Sequence, residues 1–497
     1  MKNLLENDML KSTFMESLKT NTMKNLICGE WTTSEETAEN INPSDPSDIL
    51  STFYKASLSQ VNDTIDFAHE AQKQWSQSPM TLREEVLNDI AKKLLDNKEY
   101  YGEVLAREAG KPIKEATDEV VKSAEFFSYF AAEASRNKGA FMDSPRNNVD
   151  IEIINEPVGV IGVITPWNYP LAIPAWKIAP ALAYGNSVIL KPSSLTPAIA
   201  YILAEIIDST NLPKGVFSYV SGSGGIVGNA LSDSKKVQAI TFTGSVAVGK
   251  ELALRSMSSM TKLQLEMGSK NSLIVLDDAN LDLAVEAAIK GAYNANGQKC
   301  TSCSKLIVTP GIYDKFIEAF TAKMETLVVG NALDKSSAIG PCIDQKQLDS
   351  NLAYIKLGIE EGATLVCGGE AIESETGGYF FRPALFVDGK SQMRLNQEEI
   401  FGAIACVIRA ENYEEAVEIL NDTQFGLSGG IITESLSMAM RFKHDAIVGN
   451  IMINLATAGM DNHVPFGGRK NSSYGSREKS YAASDFYTTT KTAYIKY

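Results

Sequence analysis

The chain of 497 residues is long enough for about three structural units of ordinary size. Its 44% hydrophobic and 22% charged residues are typical of a folded enzyme and exclude collagen-like, disordered and disulfide-scaffold classes. There are 61 acidic and 46 basic residues, so the net charge is −15, which disfavours nucleic acids and anionic lipid surfaces as partners.

The N-terminal segment and the number of cysteines indicate in which cellular compartment we expect the protein. Charges interrupt every apolar stretch of residues 1–22, so we expect no signal peptide, and no later apolar run reaches the length of a membrane span. We interpret residues 1–23 as an N-terminal extension. Six cysteines are too few for a secreted protein held together by disulfide bonds, which favours a reducing cytoplasm. Cys300 and Cys303 have C-x-x-C spacing, but no second pair and only three histidines accompany them, so we predict no metal site.

The next segments predict two α/β units in series. Residues 24–139 combine turn-forming residues with helical periodicity and predict a helical flank. The apolar runs PVGVIGVI, SVILKPS, VFSYVSG and VQAITFTG then alternate with helix-length segments, which is typical of a parallel sheet covered by helices. A second alternation runs from NSLIVLDD to GNIMIN. The two units meet near residues 266–272.

Residues 140–156 and 480–497 fit neither unit, because β-branched or aromatic residues alternate there with polar ones. This pattern is typical of half-exposed strands. We predict a small β arm that completes a sheet on a neighbouring subunit and hence a homodimer or homotetramer. The alternative is a β-hairpin that folds back on its own chain.

Three polar residues stand where a sheet edge would expose them. Cys300, in GQKCTSCSK, lies between a helix and a strand near Lys299 and Lys305, and is either a nucleophile or a buried inert thiol. Asn168, in ITPWNYP, follows a strand and offers an amide donor for an oxyanion, or merely completes a turn. Glu266 ends an apolar strand, where desolvation would raise its pKa toward that of a general base; the alternative is a turn-capping role.

Further segments have features of phosphate binding. In FTGSVAVG, Gly244 and Ser245 stand at the junction of a strand and a helix, where backbone N–H groups favour an anion. In KPSS, Lys191 offers a cation and the two serines offer hydroxyls. The glycine cluster GSGGIVG lacks the G-x-G-x-x-G spacing and is weaker support.

Seven motifs in one order resemble the aldehyde dehydrogenase superfamily: ITPWNYPL, KPSSLTP, FTGSVAVG, LEMGSKN, GQKCTS, EEIFG and PFGGRK. The tail from PFGGRK onward resembles the subgroup that oxidises α-ketoglutaric semialdehyde. The resemblance implies a Rossmann-like cofactor-binding domain over residues 24–139 and 157–267 and an α/β catalytic domain over 268–466. It also assigns 140–156 and 480–497 to an oligomerisation arm.

The resemblance also implies a reaction. The Cys300 thiolate would attack the aldehyde, and the Asn168 amide and the Cys300 N–H would hold the oxyanion. After hydride transfer to the nicotinamide, Glu266 would activate water to hydrolyse the thioester. Lys177 would lie near Glu266 and the nicotinamide ribose.

Further contacts carried over from the family concern the cofactor and substrate. The residues expected to bind NADP or NAD are Thr165, Trp167, Lys191, Ser194, Gly244, Ser245, Glu399 and Phe401. Those expected to line the substrate tunnel are Tyr169, Trp176 and Phe466.

Four positions depart from the family pattern. Ser269, Ala403 and Ala456 replace a usual Gly, Pro and Pro, and Ser269 brings a hydroxyl near Glu266. Ser194 replaces a frequent Glu, which removes a repulsion against a 2′-phosphate and favours NADP without excluding NAD. Within the same family, the alternative is a succinic semialdehyde or broad-specificity aldehyde dehydrogenase. The alternatives from other classes are a coenzyme A-acylating enzyme and a non-catalytic structural descendant.

Overall fold

The computed structural model describes residues 20–136 and 139–497. The strands in chain order are β1 (Asn25–Ile27), β2 (Glu30–Thr32), β3 (Glu36–Asn42), β4 (Asp45–Lys55), β5 (Gly139–Asp143), β6 (Val149–Pro157), β7 (Val160–Ile164), β8 (Ser187–Lys191), β9 (Phe217–Tyr219), β10 (Ala239–Thr243), β11 (Lys262–Glu266), β12 (Asn271–Val275), β13 (Cys303–Val308), β14 (Thr364–Cys367), β15 (Ala371–Ile372), β16 (Phe380–Phe381), β17 (Ala384–Val387), β18 (Ile404–Arg409), β19 (Ser428–Ile432), β20 (Asn450–Ile453), β21 (Ser473–Tyr474) and β22 (Thr488–Lys496).

The helices are α1 (Leu58–Trp75), α2 (Met80–Asp96), α3 (Lys98–Ala109), α4 (Ile113–Glu133), α5 (Ala172–Ala183), α6 (Pro197–Asp208), α7 (Asn229–Asp233), α8 (Val246–Ser256), α9 (Leu281–Tyr293), α10 (Tyr313–Glu325), α11 (Gln345–Glu360), α12 (Arg394–Gln397), α13 (Tyr413–Asn421), α14 (Leu436–Asp445) and α15 (Ser484–Tyr487). Within the described ranges, none of them is long and apolar enough to cross a membrane.

The first sheet has the order β2-β1-β9-β8-β7-β10-β11-β21. Its five central strands, β9, β8, β7, β10 and β11, are parallel to one another. Strands β7 and β8 are buried along their whole length, as their apolar runs predict. The chain order reverses between β7 and β10, and such a reversal leaves a crevice at the carboxyl ends of the strands where ligands bind. Thr165 and Gly244 follow these two strands directly.

The second sheet has the order β14-β17-β18-β13-β12-β19-β20. Neighbouring strands of this sheet are parallel, except for the antiparallel pair β14 and β17. The chain passes from the first sheet to the second between Glu266, which ends β11, and Asn271, which begins β12. The predicted α/β class is therefore confirmed.

The N-terminal flank contains more strand than the sequence predicts. Helices α1 to α4 occupy the segments with helical periodicity. The turn-rich stretch INPSDPSD, however, lies at the tip of an antiparallel hairpin of β3 and β4, whose register shifts at Ile41 and Asn42. These irregularities break the strict alternation by which a strand is recognised in a sequence.

The predicted arm residues form an antiparallel sheet of order β22-β6-β5 within the chain. Strand β5 pairs only with β6, and its side chains Phe141 and Met142 are exposed. The C-terminal strand begins at Thr488 rather than near residue 480, because Phe486 and Tyr487 are buried in the core of the first unit.

Candidate active site

The loop that carries Cys300 has a strained backbone. Ala295, Asn296 and Gly297 have φ values of +48°, +60° and +67°, which lie in the left-handed region. A Cβ atom on Gly297 would lie 2.4 Å from the backbone carbonyl carbon of Gly402, so only glycine fits there. The loop therefore packs directly on the EEIFG segment, which brings Cys300 toward residues 399–402.

Side chains from both units hold this loop in place. The Asn271 amide donates to the carbonyl oxygens of Cys300 and Ser302, at 2.7 and 2.9 Å. The buried Asn168 amide donates to the carbonyl of Gln298 at 3.0 Å. One N–H of the Asn168 amide is thus fixed beside Cys300, and the other remains for a ligand oxygen. Asn271 has no predicted role, although its motif LEMGSKN does contribute to the resemblance.

The Cys300 thiol is partly accessible and lies among carboxyl groups. Burial, with the charges of Glu266 and Glu399, raises its pKa to about 12, and the nearby Lys479 ammonium opposes this shift. The thiol is therefore protonated near neutral pH. The expectation that Lys305 supplies a local cation is wrong, since its Nζ is buried in the second unit and donates to the Ile419 carbonyl.

Cys303 occupies a different environment. It is fully buried, and its sulfur packs so closely on helix α9 that a Cβ on Gly291 would lie 2.5 Å from it. Burial raises the pKa of this thiol to about 11. The second cysteine of the C-x-x-C pair is thus a core residue, and no metal-binding cluster of His, Cys, Asp or Glu occurs among the described residues.

Glu266 is buried at the carboxyl end of β11, where the antiparallel strand β21 places Ser473 opposite it. The Ser473 hydroxyl donates to Glu266 Oε2 at 2.6 Å. Burial and the neighbouring Glu478 carboxylate raise the Glu266 pKa well above its ordinary value, although Ser473 and Lys177 oppose the shift. The carboxylate of Glu266 is therefore a stronger base than an exposed glutamate.

Lys177 lies close enough to Glu266 to affect its pKa, but its direct partners are other residues. It is fully buried, forms an ion pair with Glu478, and donates to the Thr241 hydroxyl at 2.7 Å. Glu478 has no predicted role. No local signal marks it, because it follows Lys177 by some 300 residues in the chain.

The Ser269 hydroxyl does not contact Glu266. It donates to Asn271 Oδ1 at 2.7 Å, and the Ser269 N–H donates to Glu399 Oε1 at 2.9 Å. A Cβ on Gly268 would lie 2.1 Å from Glu399 Oε2, so a side chain at this position would displace the Glu399 carboxylate, whereas the second position of the pair holds a serine. Burial raises the Glu399 pKa to about 7.

The predicted substrate residues share one cavity with Cys300. Its volume is about 370 Å³, and Tyr169, Trp176 and Phe466 contribute to its wall. The rings of Trp176 and Phe466 lie 5.9 Å apart. Tyr169 stacks against the Lys111 ammonium, which lies 3.7 Å from the ring centre. The cavity also contains Lys479, a residue with no predicted role.

Several predicted cofactor residues meet at the crevice of the first sheet. The buried hydroxyls of Thr165 and Thr243, beyond β7 and at the end of β10, have no hydrogen-bond partner among the described residues. Ser245 caps helix α8 and accepts from the Val248 N–H. Unpaired hydroxyls beside a helix N-terminus fit the phosphates and ribose of a dinucleotide.

The remaining cofactor residues flank this crevice. Trp167 meets Phe401 edge to face, with ring centres 5.4 Å apart, so the two units contact each other there. Lys191 is buried and its Nζ donates to the Pro192 carbonyl at 2.8 Å; burial lowers its pKa to about 8. Ser194 is exposed, and its hydroxyl lies 3.4 Å from the Gly222 carbonyl.

A doubly wound sheet with a dinucleotide crevice, joined to a second sheet that presents a cysteine beside a buried glutamate, is the architecture of aldehyde dehydrogenases. The sequence profile described as "Aldehyde dehydrogenase family" matches residues 31–493. The chain belongs to this family.

The similarity extends over nearly the whole chain. Alpha-ketoglutaric semialdehyde dehydrogenase of Bacillus subtilis (strain 168) is 38% identical over 480 residues, covering 96% of this chain and 98% of that protein. Alpha-ketoglutarate semialdehyde dehydrogenase of Haloferax volcanii is 38% identical over 483 residues, covering 96% of this chain and 100% of that protein. Betaine aldehyde dehydrogenase of Staphylococcus aureus, solved with NAD+, has a TM-score of 0.95 and 32% identity, covering 98% of this chain and 97% of that one.

These similarities confirm the predicted family, fold and enzyme class. The protein is an aldehyde dehydrogenase, an oxidoreductase that converts small-molecule aldehydes to carboxylic acids. The NAD+ of the staphylococcal complex agrees with the predicted nicotinamide cofactor.

Proposed function

We propose that this enzyme oxidises α-ketoglutaric semialdehyde to its carboxylate with NADP or NAD. The observation that carries the proposal is the partly accessible Cys300 thiol, which lies in a cavity lined by apolar and charged side chains, close to the buried Glu266 carboxyl. The two semialdehyde dehydrogenases at 38% identity support the choice of substrate.

The residues of this site divide the reaction between them. The Cys300 thiol gives its proton to solvent water in the cavity as its sulfur bonds to the aldehyde carbon. The electron pair of the carbonyl double bond moves to the oxygen, and the Asn168 amide and the Cys300 N–H hold this negative oxygen. A nicotinamide bound at the crevice would accept the hydride that leaves the aldehyde carbon, and loss of this hydride turns the adduct on Cys300 into a thioester. Glu266 then takes a proton from water, the water oxygen bonds to the thioester carbon, and the carbon–sulfur bond breaks to restore Cys300. Lys177, held by Glu478, steadies the charge beside Glu266.

A substrate panel tests the function. Purified enzyme is mixed with NADP or NAD and, in turn, α-ketoglutaric semialdehyde, succinic semialdehyde or pentanal, and reduced cofactor is followed by absorbance. We expect the highest kcat/KM for α-ketoglutaric semialdehyde and a carboxylate product without coenzyme A. A preference for pentanal contradicts the substrate, a requirement for coenzyme A indicates an acylating enzyme, and no turnover indicates a non-catalytic descendant.

The remaining assignments belong to the same proposal. Residues 24–139 and 157–267 bind the cofactor, and residues 268–466 carry the catalytic cysteine. The sheet β22-β6-β5 is the oligomerisation arm of a homodimer or homotetramer, since β5 leaves an open edge with exposed Phe141 and Met142. Six free cysteines, one of them reactive, favour a reducing cytoplasm.

Cofactor choice depends on Ser194. The residue lies just before helix α6, whose N-terminus favours a negative group, and it carries no charge of its own. We expect kcat/KM for NADP to equal or exceed that for NAD. Ser194→Glu would place a carboxylate near a 2′-phosphate and shift the ratio toward NAD by about tenfold to a hundredfold, mainly by weakening NADP binding.

Ser193→Glu is the matched control, because it adds the same charge one residue earlier, at a position whose hydroxyl accepts from the Leu195 N–H. Steady-state kinetics with each cofactor give the ratios. A wild-type enzyme that strongly prefers NAD, or a Ser194→Glu ratio that does not move, would remove Ser194 as the determinant.

A further inference from the structure

Lys479 places a cation inside an aromatic cage at the substrate cavity. Its ammonium lies 4.4 Å from the ring centre of Trp176, 4.7 Å from that of Phe466 and 5.3 Å from that of Phe126. All four side chains belong to the wall of the cavity that contains Cys300. Aromatic faces attract cations, so the three rings hold the ammonium in a defined place.

The backbone fixes this arrangement. Phe466 and Glu478 exchange two backbone hydrogen bonds of 2.8 Å, which sets Lys479 beside the Phe466 ring. Lys479 and Ser480 then have φ values of +63° and +49°. Glu478 thus pairs with the buried Lys177 while the next side chain enters the cavity. Non-glycine residues with positive φ cost free energy and are common at functional sites.

The ammonium lacks an anionic partner. Lys479 is 3% exposed, and no hydrogen bond or ion pair to its Nζ occurs within the described part of the chain. Burial lowers its pKa to about 8, which shows that the surrounding groups do not fully compensate the charge. A buried cation of this kind is stabilised when an anion arrives.

Most other charged groups of the cavity already have partners. Glu119 pairs with Lys111 and accepts two backbone N–H groups, and Glu115 accepts from the Ala295 N–H. Lys122 is partly exposed and pairs with Glu125 at 3.5 Å.

Two further charged groups complete the lining. Asp118 is exposed, and Lys299 is partly exposed beside Glu115, whose charge raises the Lys299 pKa against the effect of burial. Lys479 is therefore a buried cation of the cavity without a hydrogen bond or ion pair to a carboxylate in the described part of the chain. Glu478 and Glu266 offset its charge only from a longer distance, and they do so incompletely.

We propose that the Lys479 ammonium binds the carboxylate of the aldehyde substrate and sets the preference of the enzyme for anionic aldehydes. This assignment rests on the proposed function and names the residue that recognises that substrate. Three aromatic rings without Lys479 would suit a cationic ligand, whereas the same cage filled by an ammonium repels cations and attracts carboxylates. Lys479 does not take part in the bond changes at Cys300; it orients the far end of the substrate.

Lys479→Met tests the assignment. Methionine has similar length, packs well against aromatic rings and removes only the charge, so we expect the variant to unfold at or above the wild-type temperature. We expect kcat/KM for α-ketoglutaric semialdehyde to fall by about 10- to 100-fold, mainly through a higher KM. The value for pentanal, which has no carboxylate, should fall by no more than about threefold, which is the share expected from removing a charge near the Cys300 thiol. Lys479→Arg keeps a cation and should restore part of the preference.

The outcomes separate this inference from the function itself. A wild-type enzyme without preference for α-ketoglutaric semialdehyde over pentanal defeats the proposed function. If the wild type clearly prefers α-ketoglutaric semialdehyde and Lys479→Met keeps that preference, only the role of Lys479 is defeated. The role of Lys479 is also defeated if the preference is lost in Lys122→Met instead. An equal fall for both aldehydes in Lys479→Met also overturns the inference, because it would show that the ammonium acts on the Cys300 thiol.

Discussion

Cys300→Ser is expected to lower the rate of aldehyde oxidation by about 10⁴-fold or more. A serine hydroxyl is far less acidic than a thiol and a far weaker nucleophile near neutral pH, and no histidine stands in the described site to activate it. The loop should keep its shape, since Asn271 and Asn168 hold it through backbone carbonyl groups rather than through the sulfur. Steady-state turnover with the preferred aldehyde measures the loss.

Cys303→Ala is the matched control. Its sulfur packs against Gly291 in the core, so we expect a loss of unfolding free energy of about 1 kcal/mol and turnover within about threefold of the wild type. An inactive Cys303→Ala together with an active Cys300→Ser would reverse the assignment of the nucleophile.

Glu266→Gln has the second largest expected effect, a fall of steady-state turnover by about 10²- to 10⁴-fold. Glutamine is isosteric, and its amide oxygen still accepts the bond from Ser473, but it does not take a proton from water. The acyl group should therefore remain on Cys300. Stopped-flow absorbance should show about one equivalent of reduced cofactor per active site in a burst, followed by the slow phase.

Mass spectrometry of quenched Glu266→Gln should show the acyl group on the Cys300 peptide. Unchanged steady-state turnover would mean that another group activates the water. A variant that loses the burst as well would place the essential role of Glu266 before thioester formation, at the proton of Cys300.

The sequence predicts the fold well where one period dominates. The strands β7, β8, β10, β12 and β13 are runs that are apolar on both faces, and the structure forms them in the predicted segments. The sequence predicts the strands less well where their pairing is irregular, as in the β3–β4 hairpin. The C-terminal strand also begins later than its alternating pattern suggests, because burial of Phe486 and Tyr487 requires a helical turn first.

The residues of the site likewise divide into those that the sequence predicts and those that it does not. Cys300, Tyr169, Trp176 and Phe466 lie in recognisable motifs, and the structure brings them to one cavity. Glu478 and Lys479 are different, because their positions depend on a backbone bridge to Phe466 and on an ion pair with Lys177. Contacts between such distant segments leave no periodic pattern. The error over Lys305 has a related cause, since closeness in sequence does not determine the direction of a side chain on β13.

The dependence of the cavity on Glu478 and Lys479 has a consequence for how the enzyme matures on the ribosome. Both sheets are largely translated before this segment emerges, and until then Lys177 has no carboxylate in its buried position and the cavity has no ammonium. A chain that folded without this segment would therefore carry an uncompensated charge in its core and would lack the ammonium proposed to bind the substrate. Translation that stops before Lys479 yields a chain whose cysteine is present but whose pocket is unfinished.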